Sequence, residues 1–112
     1  MQQQNSNGSY YIYRLKRDIP AYLNICYQAF KDLDGYQKQI NVTSYEIFLQ
    51  GELQENETPS SLYNKIHKKE LREKKIVYLR ASDIFVFNCQ EDLQVFYLDP
   101  IGFTQIASFF CS

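Results

Sequence analysis

The chain has 112 residues, enough to bury roughly two thirds of the unfolded surface in one ordinary core, so a single domain is expected. Its net charge of −1 argues against a dedicated nucleic-acid binder and against a carboxylate-covered DNA mimic. Cys26, Cys89 and Cys111, widely spaced beside a lone His67, indicate neither a disulfide framework nor a zinc site.

Residues 1 to 9 carry almost no side chain worth burying and read as a disordered tail, leaving 10 to 112 as the domain. With no basic, apolar leader and no membrane-length apolar run, the chain is expected in the cytoplasm with reduced thiols and no membrane contact. Two Asn-x-Thr matches, at Asn41 and Asn56, are then chance occurrences. From Tyr10, the alternation of Tyr11, Tyr13 and Leu15 with Ile12, Arg14 and Lys16 predicts a first strand. Asp18 is placed to cap a helix with Pro20 in its first turn. Ile19, Leu23, Cys26, Tyr27, Phe30 and Leu33 then fall on one helical side as far as Gly35.

A second strand is predicted from Val42 to Gln50, pairing with the first and stopped by Gly51. After an acidic loop, Thr58-Pro59 starts a second helix whose buried stripe is Leu62, Tyr63 and Ile66. The mixed-charge run from Lys68 to Lys75 either extends that helix or forms a solvated connection. Ile76 to Leu79 is a short strand or a buried lead-in. Next, Ser82 to Phe87 and Val95 to Leu98 form a hairpin, and Asp99-Pro100-Ile101-Gly102 turns the chain into a third strand. The fold expected is α+β: a mostly antiparallel sheet with two helices, in the order β-α-β-α-β-β-β, the helices mainly on one face.

Four patches resemble the YodL-like domain family of bacterial proteins. Two of them are Tyr10-Tyr11-Ile12-Tyr13-Arg14-Leu15 and Tyr45-Glu46-Ile47-Phe48-Leu49-Gln50-Gly51-Glu52-Leu53. The other two, closest to the family's blocks, are Leu79-Arg80-Ala81-Ser82-Asp83-Ile84 and Phe96-Tyr97-Leu98-Asp99-Pro100-Ile101-Gly102-Phe103. Leu62 to His67 resembles the family's second helix only loosely. Arg80 stands where the family's Ser-x-Ser-Asp block opens with Ser, and Lys68 and Lys69 stand where an Asn and a Pro are usual. The resemblance implies a small α+β module without known catalytic chemistry, often carried by mobile-element proteins, and it implies no ligand.

The residues themselves supply no catalytic motif, and no cofactor or metal is expected. Asp83 and Asp99 read best as carboxylates that accept backbone hydrogen bonds, with a small-molecule or catalytic cleft near them and Tyr97 as an alternative. His67 reads as solvated surface, and the helix start at Ser60 and Ser61 lacks the Gly-rich loop of a phosphate site. Ile84 and Val86 point one way and Phe85 and Phe87 the other, so both faces of that strand need cover. The stretch from Ile106 to Phe110 is one source of cover, or an interface. The candidate protein interface is therefore Phe85, Phe87, Tyr97, Phe109 and Phe110. Charge is blocked along the chain, and Lys65, Lys68, Lys69, Arg72, Lys74, Lys75 and Arg80 form a candidate contact for nucleic acid or an acidic partner. The expected function is a non-enzymatic protein-binding or regulatory module of a bacterial mobile element, directed at an unidentified host regulatory or defence protein. Weak nucleic-acid binding is the alternative, and the oligomeric state is left open.

Overall fold

The computed structural model describes residues 8–73, 79–89 and 92–110, with backbone only for 70–73. Among the described residues five strands form one antiparallel sheet: β1 (Ser9–Leu15), β2 (Tyr45–Glu52), β3 (Ile84–Cys89), β4 (Asp92–Leu98) and β5 (Phe103–Ile106). Their order across the sheet is β2-β1-β3-β4-β5. The fold is the expected α+β arrangement, and the pairing of β1 with β2 and the β3–β4 hairpin are as read from the sequence. Strand formation starts one residue earlier than expected, at Ser9, and Gly8 already accepts a hydrogen bond from the Leu53 amide at 3.0 Å. The rest of the expected tail lies outside the described residues.

β3 sits in the middle, and period-2 alternation sends its side chains into two different cores. Ile84 and Val86 join Val95, Tyr97, Tyr45 and Phe109 on one face. Phe85 and Phe87 join Ile12, Leu62 and Leu98 on the other. Each fully buried side chain of this size contributes about 1.5–3 kcal/mol before entropy is subtracted.

The cover of the Phe85 face is α2 (Pro59–Glu73), which carries Leu62, Tyr63 and Ile66 inward. Its start is locked by reciprocal bonds: the Ser61 amide donates to Thr58 Oγ1 at 3.0 Å and the Thr58 amide to Ser61 Oγ at 2.9 Å. The mixed-charge run thus continues the helix to Glu73, and Ile76 to Tyr78 lie outside the described residues.

The opposite face is where the sequence reading needs correction. The long helix expected between Asp18 and Gly35 is a single turn, α1 (Tyr22–Ile25), followed by 3-10 turns at Phe30–Asp32, Gln37–Gln39 and Val42–Ser44. Cys26 is extended (φ −58°, ψ 136°) and Tyr27 is left-handed (φ 67°), so the helix cannot pass them. Ile25, Leu33 and Ile40 still reach the core from this winding chain. The two helices therefore lie on opposite faces of the sheet, not mainly on one. β2 likewise starts at Tyr45, because Val42–Ser44 is taken up by a turn that the Asn41 side chain caps.

Candidate functional site

The polar chemistry of the chain gathers at one end of the sheet, where β1 and β4 end and β2, β3 and β5 begin. Asp83, immediately before β3, is fully buried. Its carboxylate accepts from Arg14 Nε at 3.1 Å and Arg14 Nη2 at 2.9 Å, and from the Arg80 amide at 3.0 Å. The Arg14 guanidinium carbon lies 3.7 Å from the centroid of the Phe48 ring, so the cation is held between a carboxylate and an aromatic face. Burial pushes the Asp83 carboxyl up, against the opposing pull of the Arg14 hydrogen bonds. Strand alternation explains the pair: Arg14 falls on the same face as buried Ile12.

Around this pair the backbone is locked by buried phenols. Tyr45 Oη donates to the Ser82 carbonyl at 2.8 Å, and Ser82 is left-handed with φ 87°. Tyr97 Oη donates to the Gln28 carbonyl at 2.7 Å. Burial raises both phenols well above the ordinary value, and the Asp99 carboxylate adds to the effect on Tyr97. Asp99 itself accepts from the Phe30 amide at 2.8 Å and from Thr104 Oγ1 at 2.5 Å, while its amide donates to the Gly102 carbonyl at 3.0 Å. Both aspartates thus accept backbone hydrogen bonds, as read from the sequence, but only the bond from Arg80 to Asp83 is local, and Asp99 instead ties its turn to Phe30, 69 residues away.

Two open concavities flank this end. One, about 460 Å³, lies between α2 and the turn joining β4 to β5, with Ser60, Tyr63, Asn64, Arg80, Asp99 and Phe103 among its walls. The other, about 430 Å³, lies beside the end of β1 and is walled by Arg14, Lys16, Arg17, Asp18, Glu46 and Arg80. Among the described residues no group of three or more His, Cys, Asp or Glu side chains could hold a metal ion, and no helix is long and apolar enough to cross a membrane.

The expected interface residues divide sharply by position. Phe85, Phe87, Tyr97 and Phe109 are buried within the domain, each at 3% exposure or less, so both faces of β3 have internal cover. Phe110 is 41% exposed, with its ring 6.1 Å from that of Tyr13. Of the basic stripe, Lys65 is held by Glu57 at 2.7 Å, while Lys68 and Lys69 are exposed on α2, as is His67. The Arg72 side chain, Lys74 and Lys75 lie outside the described residues. Arg80 walls the concavity beside the first turns of α2 and donates through Nη1 to Tyr27 Oη at 3.0 Å. Sequence reasoning missed Arg14 and Tyr27. In the sequence Arg14 shares a strand face with Ile12 and Lys16, the more polar side, so its pairing with Asp83 carried no local signal.

These features define a class: a small α+β domain whose antiparallel sheet is covered on both faces, with its buried polar groups committed to holding the chain together. The chain belongs to the YodL-like domain family, whose family model matches residues 9–109. The match takes in all five strands, α2 and both aspartate turns. No curated protein and no solved structure matched the chain.

Proposed function

We propose that the domain is a non-enzymatic protein-binding module, carried by a bacterial mobile element and directed at a host regulatory or defence protein. The observation that supports this reading is an aromatic and apolar surface at the open edge of the sheet. Tyr13 and Ile47 are directly paired across β1 and β2, which places their side chains on one face. Ile47 is 52% exposed, and Phe110 reaches Tyr13 edge-on. Tyr11 follows on the same face two residues before Tyr13.

Among the described strands, β2 pairs only with β1 and leaves its outer edge open. An edge strand offers backbone donors and acceptors to an incoming chain, and Tyr-rich neighbours add contact area at low entropic cost. Affinity capture with the intact tagged chain from bacterial lysate, beside the Ile47→Lys, Phe110→Asp double variant, tests the reading. A protein retained by the natural chain and lost from the variant is expected. Identical recovery by both, or nothing above background, would remove the proposal.

A further inference from the structure

The two concavities at the sheet end share one wall residue, Arg80, and differ in character on either side of it. On the β1 side, Arg14 is matched by Asp83, which leaves Lys16, Arg17 and Arg80 facing Asp18 and Glu46, an excess of one positive charge. Lys16 Nζ is tied to the Thr43 carbonyl at 3.2 Å, whereas Arg17 is exposed. On the α2 side, Tyr63, Leu79, Pro100 and Phe103 supply apolar wall beside the exposed Asn64, and the carboxylate of the wall residue Asp99 is already engaged by the Phe30 amide and Thr104 Oγ1.

Arg80 is presented by a constrained frame. Its amide is fixed on Asp83, its Nη1 on Tyr27 Oη, and its guanidinium carbon lies 5.7 Å from the Tyr27 ring centroid. Tyr27 is held left-handed, its amide donating to the Ala81 carbonyl at 3.3 Å. A guanidinium braced in this way needs little further ordering to receive a carboxylate in a bidentate fork.

The geometry points to a binding site for a short extended peptide segment, acidic at one end and apolar or aromatic at the other, lying across the sheet end with Arg80 beneath its middle. The β1 and β5 ends are three strand spacings apart, about 14 Å, which an extended chain covers in about four residues. Acidic side chains face Arg17 and Arg80, and the apolar side chain enters the concavity beside Tyr63 and Phe103. This site is separate from the Tyr13, Ile47 and Phe110 surface and draws on different residues.

Fluorescence anisotropy with fluorescein-labelled pentapeptides tests it on the full chain. One probe carries two aspartates followed by glycine, leucine and phenylalanine, a second reverses that order, and controls replace aspartate with lysine. At least one aspartate probe is expected to bind ten-fold or more tighter than its lysine control. Arg17→Glu and Asn64→Glu, both at exposed positions, are each expected to weaken it about ten-fold by setting a carboxylate against the acidic side chains, while Leu93→Lys, at an exposed position on β4 outside both concavities, leaves it unchanged. Equal binding of aspartate and lysine probes, or binding indifferent to both Arg17→Glu and Asn64→Glu, would overturn the proposal. Displacement of the peptide by a single-stranded oligonucleotide that itself binds tighter would also overturn it.

Discussion

Asp83 is the residue on which the sheet end depends. A buried ion pair is costly to form, but once formed, removing one partner leaves the other charge without compensation, at about 3–5 kcal/mol. Asp83→Ala should therefore destabilise the fold by that order, measured by urea denaturation, because both Arg14 contacts and the Arg80 amide lose their acceptor. Replacing the pair together, as Arg14→Met with Asp83→Leu, should recover much of the loss. An Asp83→Ala variant as stable as the natural chain would show that the pair is dispensable.

Glu57 behaves differently. Its burial opposes ionisation, but hydrogen bonds from Lys65 and Ser61 outweigh this and hold it below the ordinary carboxylate range. A depressed folded pKa contributes stability above the unfolded value and loses it as pH falls through the folded one. Glu57→Gln should therefore flatten the acid side of the stability profile below about pH 4.5, by no more than about 1 kcal/mol given the exposure of Lys65. Urea titrations of both chains at stepped acid pH check this. The acceptance of the Arg80 amide by Asp83 was legible in the sequence, since an Asp beside a turn has strong local uses, whereas the bond from the Phe30 amide to Asp99, 69 residues away, was not. The Arg14 partner was not, because 69 residues separate it from Asp83 and only the sheet register joins them.

At the scale of elements, the segment between β1 and β2 shows how a correct periodicity can give an incorrect helix. Ile19, Leu23, Cys26, Tyr27, Phe30 and Leu33 have helical spacing, yet Leu23 is 83% and Tyr27 58% exposed. What replaces the helix is a set of long-range hydrogen bonds to its backbone. The Tyr27 amide goes to Ala81, Gln28 accepts from Tyr97, and the Phe30 amide goes to Asp99. Those partners are strand ends and turns that no local window contains, so tertiary contacts override propensity. The strands were more legible because alternation and the turn at Asp99 to Gly102 are local signals.

The same bonds make a prediction. Asp99→Ala removes an ionised acceptor from the Phe30 amide and from Thr104, and hydrogen bonds to charged groups contribute about 1.5–3 kcal/mol. A loss of about 2 kcal/mol is expected, together with faster amide hydrogen exchange across residues 28–33. Slower or unchanged exchange there would show that the segment is held by its apolar anchors alone.

At the scale of the whole molecule, the apolar alternation of β3 has a mechanical consequence. Because Ile84 and Val86 serve one core and Phe85 and Phe87 the other, neither covering layer rests on a strand of its own. α2 and the winding segment that carries Ile25 and Leu33 are both seated on the same central strand. Loss of either layer would expose one whole side of β3, at about 25 cal/mol for each Å² of apolar surface returned to water. The two layers should therefore unfold together. The chain contains no Trp, and its tyrosine near-ultraviolet signal is weighted to the face away from α2, where Tyr45 and Tyr97 are buried, while Tyr10 and Tyr63 on the α2 side are half-buried; far-ultraviolet helix dichroism reports chiefly α2. Coincident urea midpoints for the two signals are expected in the natural chain. Phe85→Ala, which opens a cavity on the α2 side only, should lower both midpoints equally, with a loss of about 3–5 kcal/mol. A helix signal that falls first, with the tyrosine signal unmoved, would mean that α2 is an independently released layer and that β3 can keep one core without the other.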